Sequence, residues 1–385
     1  MNSRERVLAA LNHKEADRVP FDMGGTVITG INVHAYCALR DRLGLPKVEP
    51  KIIDIIQQIA RVDDDMMDRL GVDVKNVSPR SSATFQIQAQ DAGEYTVFQD
   101  EWGIGWRMPK KGGWYYDMYR HPLSGSAVTG ADTDRFPWPD PLDPARFTGI
   151  GEAARKIIRE EGRAVIMGSM SAGIMEMHAW MRGFEDAFSD LANNPDLACR
   201  IMDRVLEMKV AYWGRALEIL GDSVDVVQEA DDFAGQTGLL LSPATYRRLA
   251  KPRHKRLFDF IHSRTKAKIF FHSCGSVRKV IPDLIEAGVD ILNPVQVSAT
   301  GMDSAELKRE YGKDLVFWGG GVDTQRVLGG GTPQEVREEV RRRVTDLKPG
   351  GGFVFNTVHN IQGNVPAENL VAMWEAFREH GVYGR

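Results

Sequence analysis

The stretch KIFFHSCGS places two metal-binding side chains, His272 and Cys274, two residues apart at the end of an apolar run. On a β-strand, residues i and i+2 point the same way. An imidazole nitrogen and a thiol sulfur would then project together from the strand end. Both suit zinc, and a catalytic zinc needs a third protein ligand and one open position. His359, in VHNIQ, follows the last apolar run and is the natural third donor, with Glu229 or Asp231 as carboxylate alternatives. Gly275 lets the backbone turn sharply after the pair. The competing reading is that Cys274 is ordinary interior packing.

These residues need a frame that brings them together. Apolar runs rich in Val, Ile and Phe recur along the chain: RVPFDMG, VDVKNVS, RAVIMGS, VDVVQEA, KIFFHSC, VDILNPV, LVFWGGG and GFVFNTV. Their hydrophobicity is continuous rather than alternating, as in parallel strands covered on both faces. Helical patterns separate most of them. Ser242 with Pro243 reads as an N-cap followed by proline, Thr332 to Glu335 as a capping box, and KVIPDLIEAG as a helix stopped by glycine. The pattern predicts a (β/α)8 TIM barrel. A doubly wound sheet is the alternative, weakened because no strand leads into a GxGxxG turn. Residues 81–145 break the rhythm. Their alternating, aromatic segments predict antiparallel β-hairpins inserted after the second strand, with a Pro-rich return, inside a single domain covering 1–385.

In such a barrel, chemistry gathers at the C-terminal ends of the strands. There the sequence supplies Asp22, Glu229 and Asp231 as candidate catalytic acids and bases. Asn293, Gln296, Asp323, Asn360 and Gln362 are candidate substrate contacts. YRRLAKPRHKR reads mainly as a solvated helix face, with Tyr246 as its candidate substrate contact. Gly319 to Gly321 lack the GK[ST] of a phosphate loop and predict close backbone approach instead. Met167, Met170, Met175 and Met177 read as core and pocket lining, and Trp102, Trp106 and Trp114 as an entrance wall or a dimer contact.

The 385-residue chain has a net charge of −4 and 43% hydrophobic residues, so nothing in it favours nucleic acid or an anionic membrane surface. Three scattered cysteines argue against a disulfide framework and for a cytoplasmic setting. The N-terminal stretch predicts an amphipathic helix before Val19 and Pro20, rather than a secretory leader. No apolar run is long enough to span a bilayer.

RERVLAALNHKEADRVPFDMGG, SPATYRRLAKP, FFHSCGS, DILNPVQ, FWGGGVDTQ and HNIQGNVPAEN together resemble the uroporphyrinogen decarboxylase superfamily, over nearly the whole chain. The resemblance implies the (β/α)8 barrel and two possible chemistries. True decarboxylases hold the carboxylates of a tetrapyrrole with arginines near the first strand. The matching stretch here, FDMGGTVITGI, has none. The cobalamin-dependent methyltransferases carry an HxC zinc pair, with a cysteine near the last strand as third ligand. His272 and Cys274 match the pair, and His359 stands at the third position. The resemblance therefore implies methyl transfer between a small substrate (a thiol, a methoxy compound, a methylamine type or tetrahydrofolate) and cobalamin on a partner corrinoid protein, with zinc as Lewis acid. Alternatives are a carboxy-lyase acting on a tetrapyrrole or another acid, and a non-catalytic corrinoid- or tetrapyrrole-binding protein. A homodimer is the default assembly.

Overall fold

The computed structural model describes residues 1–384. Seven parallel strands form one curled sheet: β1 (Val74–Val77), β2 (Ala164–Met167), β3 (Val226–Ala230), β4 (Lys268–His272), β5 (Ile291–Asn293), β6 (Val316–Trp318) and β7 (Phe353–Val354). Their spatial order follows the chain. Every residue of β2 and β6 is buried, as continuous apolar strands covered on both faces require. The extended segment 19–22, within the first apolar run, bonds to both ends of the sheet. Asp73 N donates to Phe21 O at 2.8 Å on one side. On the other, Phe355 N donates to Pro20 O at 2.8 Å and Asp22 N to Phe355 O at 2.9 Å.

Helices cover the outside. Among them are α1 (Ile174–Arg182), α2 (Pro195–Leu220), α3 (Lys251–His262) and α4 (Pro333–Leu347). Helix α2 buries Ile201, Val205, Met208, Tyr212 and Ala216, the spacing of one apolar stripe. Thr332 and Glu335 close the capping box of α4, an arrangement whose cap alone is worth about 1 kcal/mol. The N-terminal helix spans Ser3–Leu11, capped by Asn2.

Two antiparallel sheets sit beside the parallel one. Gln90–Ala92, Tyr95–Gln99, Gly105–Pro109 and Asp117–Arg120 pair in that order, between β1 and β2 in the chain. Trp106 anchors this sheet. Its Nε1 donates to Asp100 at 2.8 Å, and its ring meets Trp180 of α1 edge-on at 5.3 Å. A smaller sheet joins Ile31–Asn32 to a strap whose strands are Ile59–Ala60 and Ile52–Asp54. The apolar runs give no sign of that strap. Among the described residues, no helix is long and apolar enough to cross a membrane.

Candidate functional site

Strand register builds the centre of the site. Ala230, His272 and Asn293 lie side by side at the C-terminal ends of β3, β4 and β5. Two residues beyond His272, Cys274 returns to the same side, with Sγ 3.2 Å from His272 Nε2. Gly275 then turns the chain with φ at 90°. A side chain there would meet the backbone of Ala234 and Gly235 below 3 Å. His359, past β7, brings its ring to 5.4 Å from that of His272. One ligand atom each from His272, Cys274 and His359 fall within 4.8 Å of one another.

Each imidazole is oriented by a carboxamide. His272 Nδ1 lies 2.5 Å from Asn293 Oδ1, and Asn293 Nδ2 donates to Trp318 O at 2.7 Å. The second bond fixes which way the amide faces. His272 Nδ1 is therefore the donor to Asn293, and Nε2 is the ring nitrogen turned toward Cys274. His359 Nδ1 lies 3.0 Å from Asn360 Oδ1 and is the donor there in the same way. Burial and the neighbouring His272 pull His359 down to about 4, so its ring is neutral at physiological pH. Burial, Asp232 and Glu176 push the Cys274 thiol well up. Left alone the thiol stays protonated, and a bound cation reverses that balance. Two carboxamide-oriented imidazoles and one thiol form a donor set that fits zinc with a position left over.

A pocket of about 420 Å³ opens onto this centre. Its apolar wall includes Ile28, Ile56, Trp102, Met170, Met177 and Trp180. Gln228, Ala230 and Asp232 line it from β3 and the residues that follow. Asp232 Oδ1 accepts from Cys274 N at 2.7 Å and lies 3.9 Å from His272 Nε2. Glu176, near the start of α1, also lines it, and burial and Asp232 push its carboxyl well up.

Glu229 and Asp231, expected as the site's acids, have the opposite strand parity and face the helices. Glu229 accepts from Lys209 Nζ at 2.7 Å and Trp213 Nε1 at 2.6 Å, both on α2, and lies 3.0 Å from Ser169 Oγ. Asp231 accepts from Met175 N at 2.9 Å and Glu176 N at 2.7 Å, and pairs with His254 Nε2 at 2.7 Å. It anchors the start of α1 and so places Glu176. Asp22 is buried under Trp318, whose Nε1 donates to it at 2.8 Å.

The expected substrate contacts also have other partners. Tyr246 is fully buried with its hydroxyl 3.2 Å from His254 Nδ1, and so is a packing residue. Gln296 Oε1 accepts from Gly275 N at 2.6 Å and holds the turn after Cys274. Gln362 Nε2 donates to Asn360 Oδ1 at 2.6 Å. Asp323 accepts from Gln325 N at 2.9 Å in a local turn. The carboxamides Asn293 and Asn360 hold the candidate ligands. Trp102 walls the pocket, whereas Trp106 is buried in the sheet and Trp114 packs on His34.

The profile of the uroporphyrinogen decarboxylase (URO-D) family matches residues 115–380, and the chain belongs to that family. It is 24% identical to the uroporphyrinogen decarboxylase of Alkalilimnicola ehrlichii over 295 residues, 73% of each chain. With that of Prochlorococcus marinus it shares 25% over 244 residues, 61% of this chain and 64% of the relative. A methyltransferase from Methanosarcina mazei superposes with a TM-score of 0.64 over 98% of this chain and 99% of that one; at 19% identity this is a likeness of fold.

Proposed function

We propose that the curled sheet is a (β/α)8 barrel closed by residues 19–22, and that the chain is a methyltransferase working with a corrinoid carried by a partner protein. The observation that carries this reading is the convergence of His272, Cys274 and His359, with both imidazoles oriented by carboxamides, at the strand ends facing the pocket. The fold likeness to a methyltransferase is consistent with it.

In this reading His272, Cys274 and His359 hold zinc. Bound there, zinc would act as a Lewis acid toward a thiol or the heteroatom that carries the methyl group. Asn293 and Asn360 keep the imidazoles aimed. Trp102, Trp180, Met170 and Met177 shield the reacting atoms from water. When a methyl carbon leaves its heteroatom, the bonding pair stays on the heteroatom, which then takes a proton. Glu176, kept protonated by burial beside Asp232, is placed to give it. In the reverse direction the same pair receives the proton.

Carboxy-lyase chemistry is the second reading, favoured by the names of the curated relatives. Recognition of uroporphyrinogen means holding several carboxylates. Of the two arginines that line this pocket among the described residues, Arg146 is paired with Glu101 at 2.5 Å, which leaves Arg80 as the unpaired guanidinium there.

The test combines metal analysis with turnover. Protein purified without oxygen should carry about one zinc per chain. It should also transfer methyl groups between a corrinoid and at least one of a panel of thiols and methoxylated or methylated compounds. His272→Ala should lose both. Transfer that survives in a metal-free His272→Ala protein would sink the proposal.

A further inference from the structure

The two imidazoles of the candidate centre are oriented by the same kind of group but anchored to different parts of the molecule. Asn293, which orients His272, is tied to the backbone carbonyl of Trp318 at the end of β6. That anchor belongs to the parallel sheet. Asn360, which orients His359, donates its amide Nδ2 to the side chain of Gln57, 303 residues away in sequence. Gln57 sits in the turn of the strap between Ile52–Asp54 and Ile59–Ala60, and Ile53, Asp54, Ile56 and Gln57 all line the pocket.

We propose that Gln57 is a positioning residue for the metal centre, acting through Asn360 on His359, so that the rim of the pocket and the third ligand move together. The inference rests on the metal reading of His272, Cys274 and His359. Asn360 is fully buried, and its Oδ1 already serves His359 Nδ1 and Gln362 Nε2. Removing its acceptor at Gln57 leaves a buried amide donor unsatisfied, and the carboxamide must rotate to recover a bond. Rotation takes Oδ1 away from His359 Nδ1.

The turn is built to hold one shape. Gln57 N donates to Asp54 Oδ1 at 2.6 Å, Tyr116 N donates to Ile56 O at 2.7 Å, and Asn32 Nδ2 donates to Gln57 O at 3.3 Å. The next residue, Gln58, takes φ 54°, a left-handed backbone unusual for a side chain of this kind. Such over-determined local strain collects at functional sites. A substrate seated against Ile53 and Ile56 presses on the same turn, which couples pocket occupancy to the aim of His359.

The experiment uses the full chain and zinc itself as probe. Zinc affinity is measured by chelator competition, and the ligand field by the visible spectrum of the cobalt(II) form. Gln57→Leu should weaken zinc binding roughly 10- to 100-fold and shift the cobalt spectrum, with the melting temperature of the metal-free protein unchanged. Gln57→Glu keeps an acceptor for Asn360 and should restore both. In an Asn360→Asp background, where the donor is gone, Gln57→Leu should add nothing. Wild-type affinity and spectrum in Gln57→Leu would overturn the relay while leaving the metal reading intact. Equal losses in Leu and Glu, with a lowered melting temperature, would overturn it in favour of a fold defect. A wild-type protein that binds neither metal would overturn both.

Discussion

His272 and Asn293 are register partners on adjacent parallel strands, and the carboxamide oxygen of one lies 2.5 Å from the ring nitrogen of the other. A candidate ligand is thus aimed by a neighbour that the sheet itself fixes. Removing that neighbour should damage metal binding more than folding. Asn293→Ala should lower zinc affinity roughly 10- to 100-fold, while Asn293→Asp, which keeps an acceptor facing Nδ1, should bind more nearly like wild type. Chelator competition on the three proteins measures this. Unchanged affinity in the alanine variant would mean that Asn293 does not orient a ligand.

Glu229 gives the second prediction. Its carboxylate is fully engaged by Lys209, Trp213 and Ser169 in a buried cluster. Lys209→Met strands a buried charge and should destabilise by about 3–5 kcal/mol. Lys209→Met with Glu229→Gln should cost clearly less, because no charge is left unpaired. Denaturant titrations of wild type, single and double variants separate these outcomes. The folded double variant should keep its metal and most of its activity. A large fall in kcat at full metal loading would return Glu229 to the catalytic group.

That Glu229 and Asp231 face the helices rather than the pocket has a physical origin. Buried parallel strands are apolar on both faces, so the alternation that reveals which residues face inward is absent. Type alone favoured Glu229 and Asp231, whereas parity selects Gln228, Ala230 and Asp232. The parallel strands and helices were legible because their signals are local: an apolar run, a capping box at Thr332, a proline after Ser242. The His272 and Cys274 pair was legible for the same reason. Glu176 and Gln57 were not. Their surroundings are set by Asp232 and Asn360, partners far away in sequence that only the folded chain brings near.

Substrate choice supplies a third prediction. The pocket holds about 420 Å³ and has one unpaired guanidinium along its lining, among the described residues, for the several carboxylates of a porphyrinogen. Incubation with uroporphyrinogen should release no carbon dioxide above the uncatalysed rate. Turnover at rates typical of enzymes, about 1 s⁻¹ or more, would make the carboxy-lyase reading the better one.

Asp22 yields a prediction about pH. Its carboxyl is buried beneath Trp318, and burial pushes it up to about 6 despite the bonds from Trp318 Nε1 and Gly25 N. The unfolded chain titrates this group near the ordinary carboxylate value of about 4. Between those values the folded state binds the proton more tightly than the unfolded state, so stability falls as pH rises. The contribution is fully present below about 4 and is lost as the pH rises through about 6. Asp22→Asn removes the titration. Its stability should start lower, because an amide cannot accept from both neighbours at once, but the slope that Asp22 contributes between pH 4 and 6 should vanish. Chemical denaturation at half-unit steps from pH 4 to 8 measures both curves. Parallel profiles for wild type and variant would show that Asp22 keeps an ordinary carboxylate in the folded chain and that its burial does not control its proton.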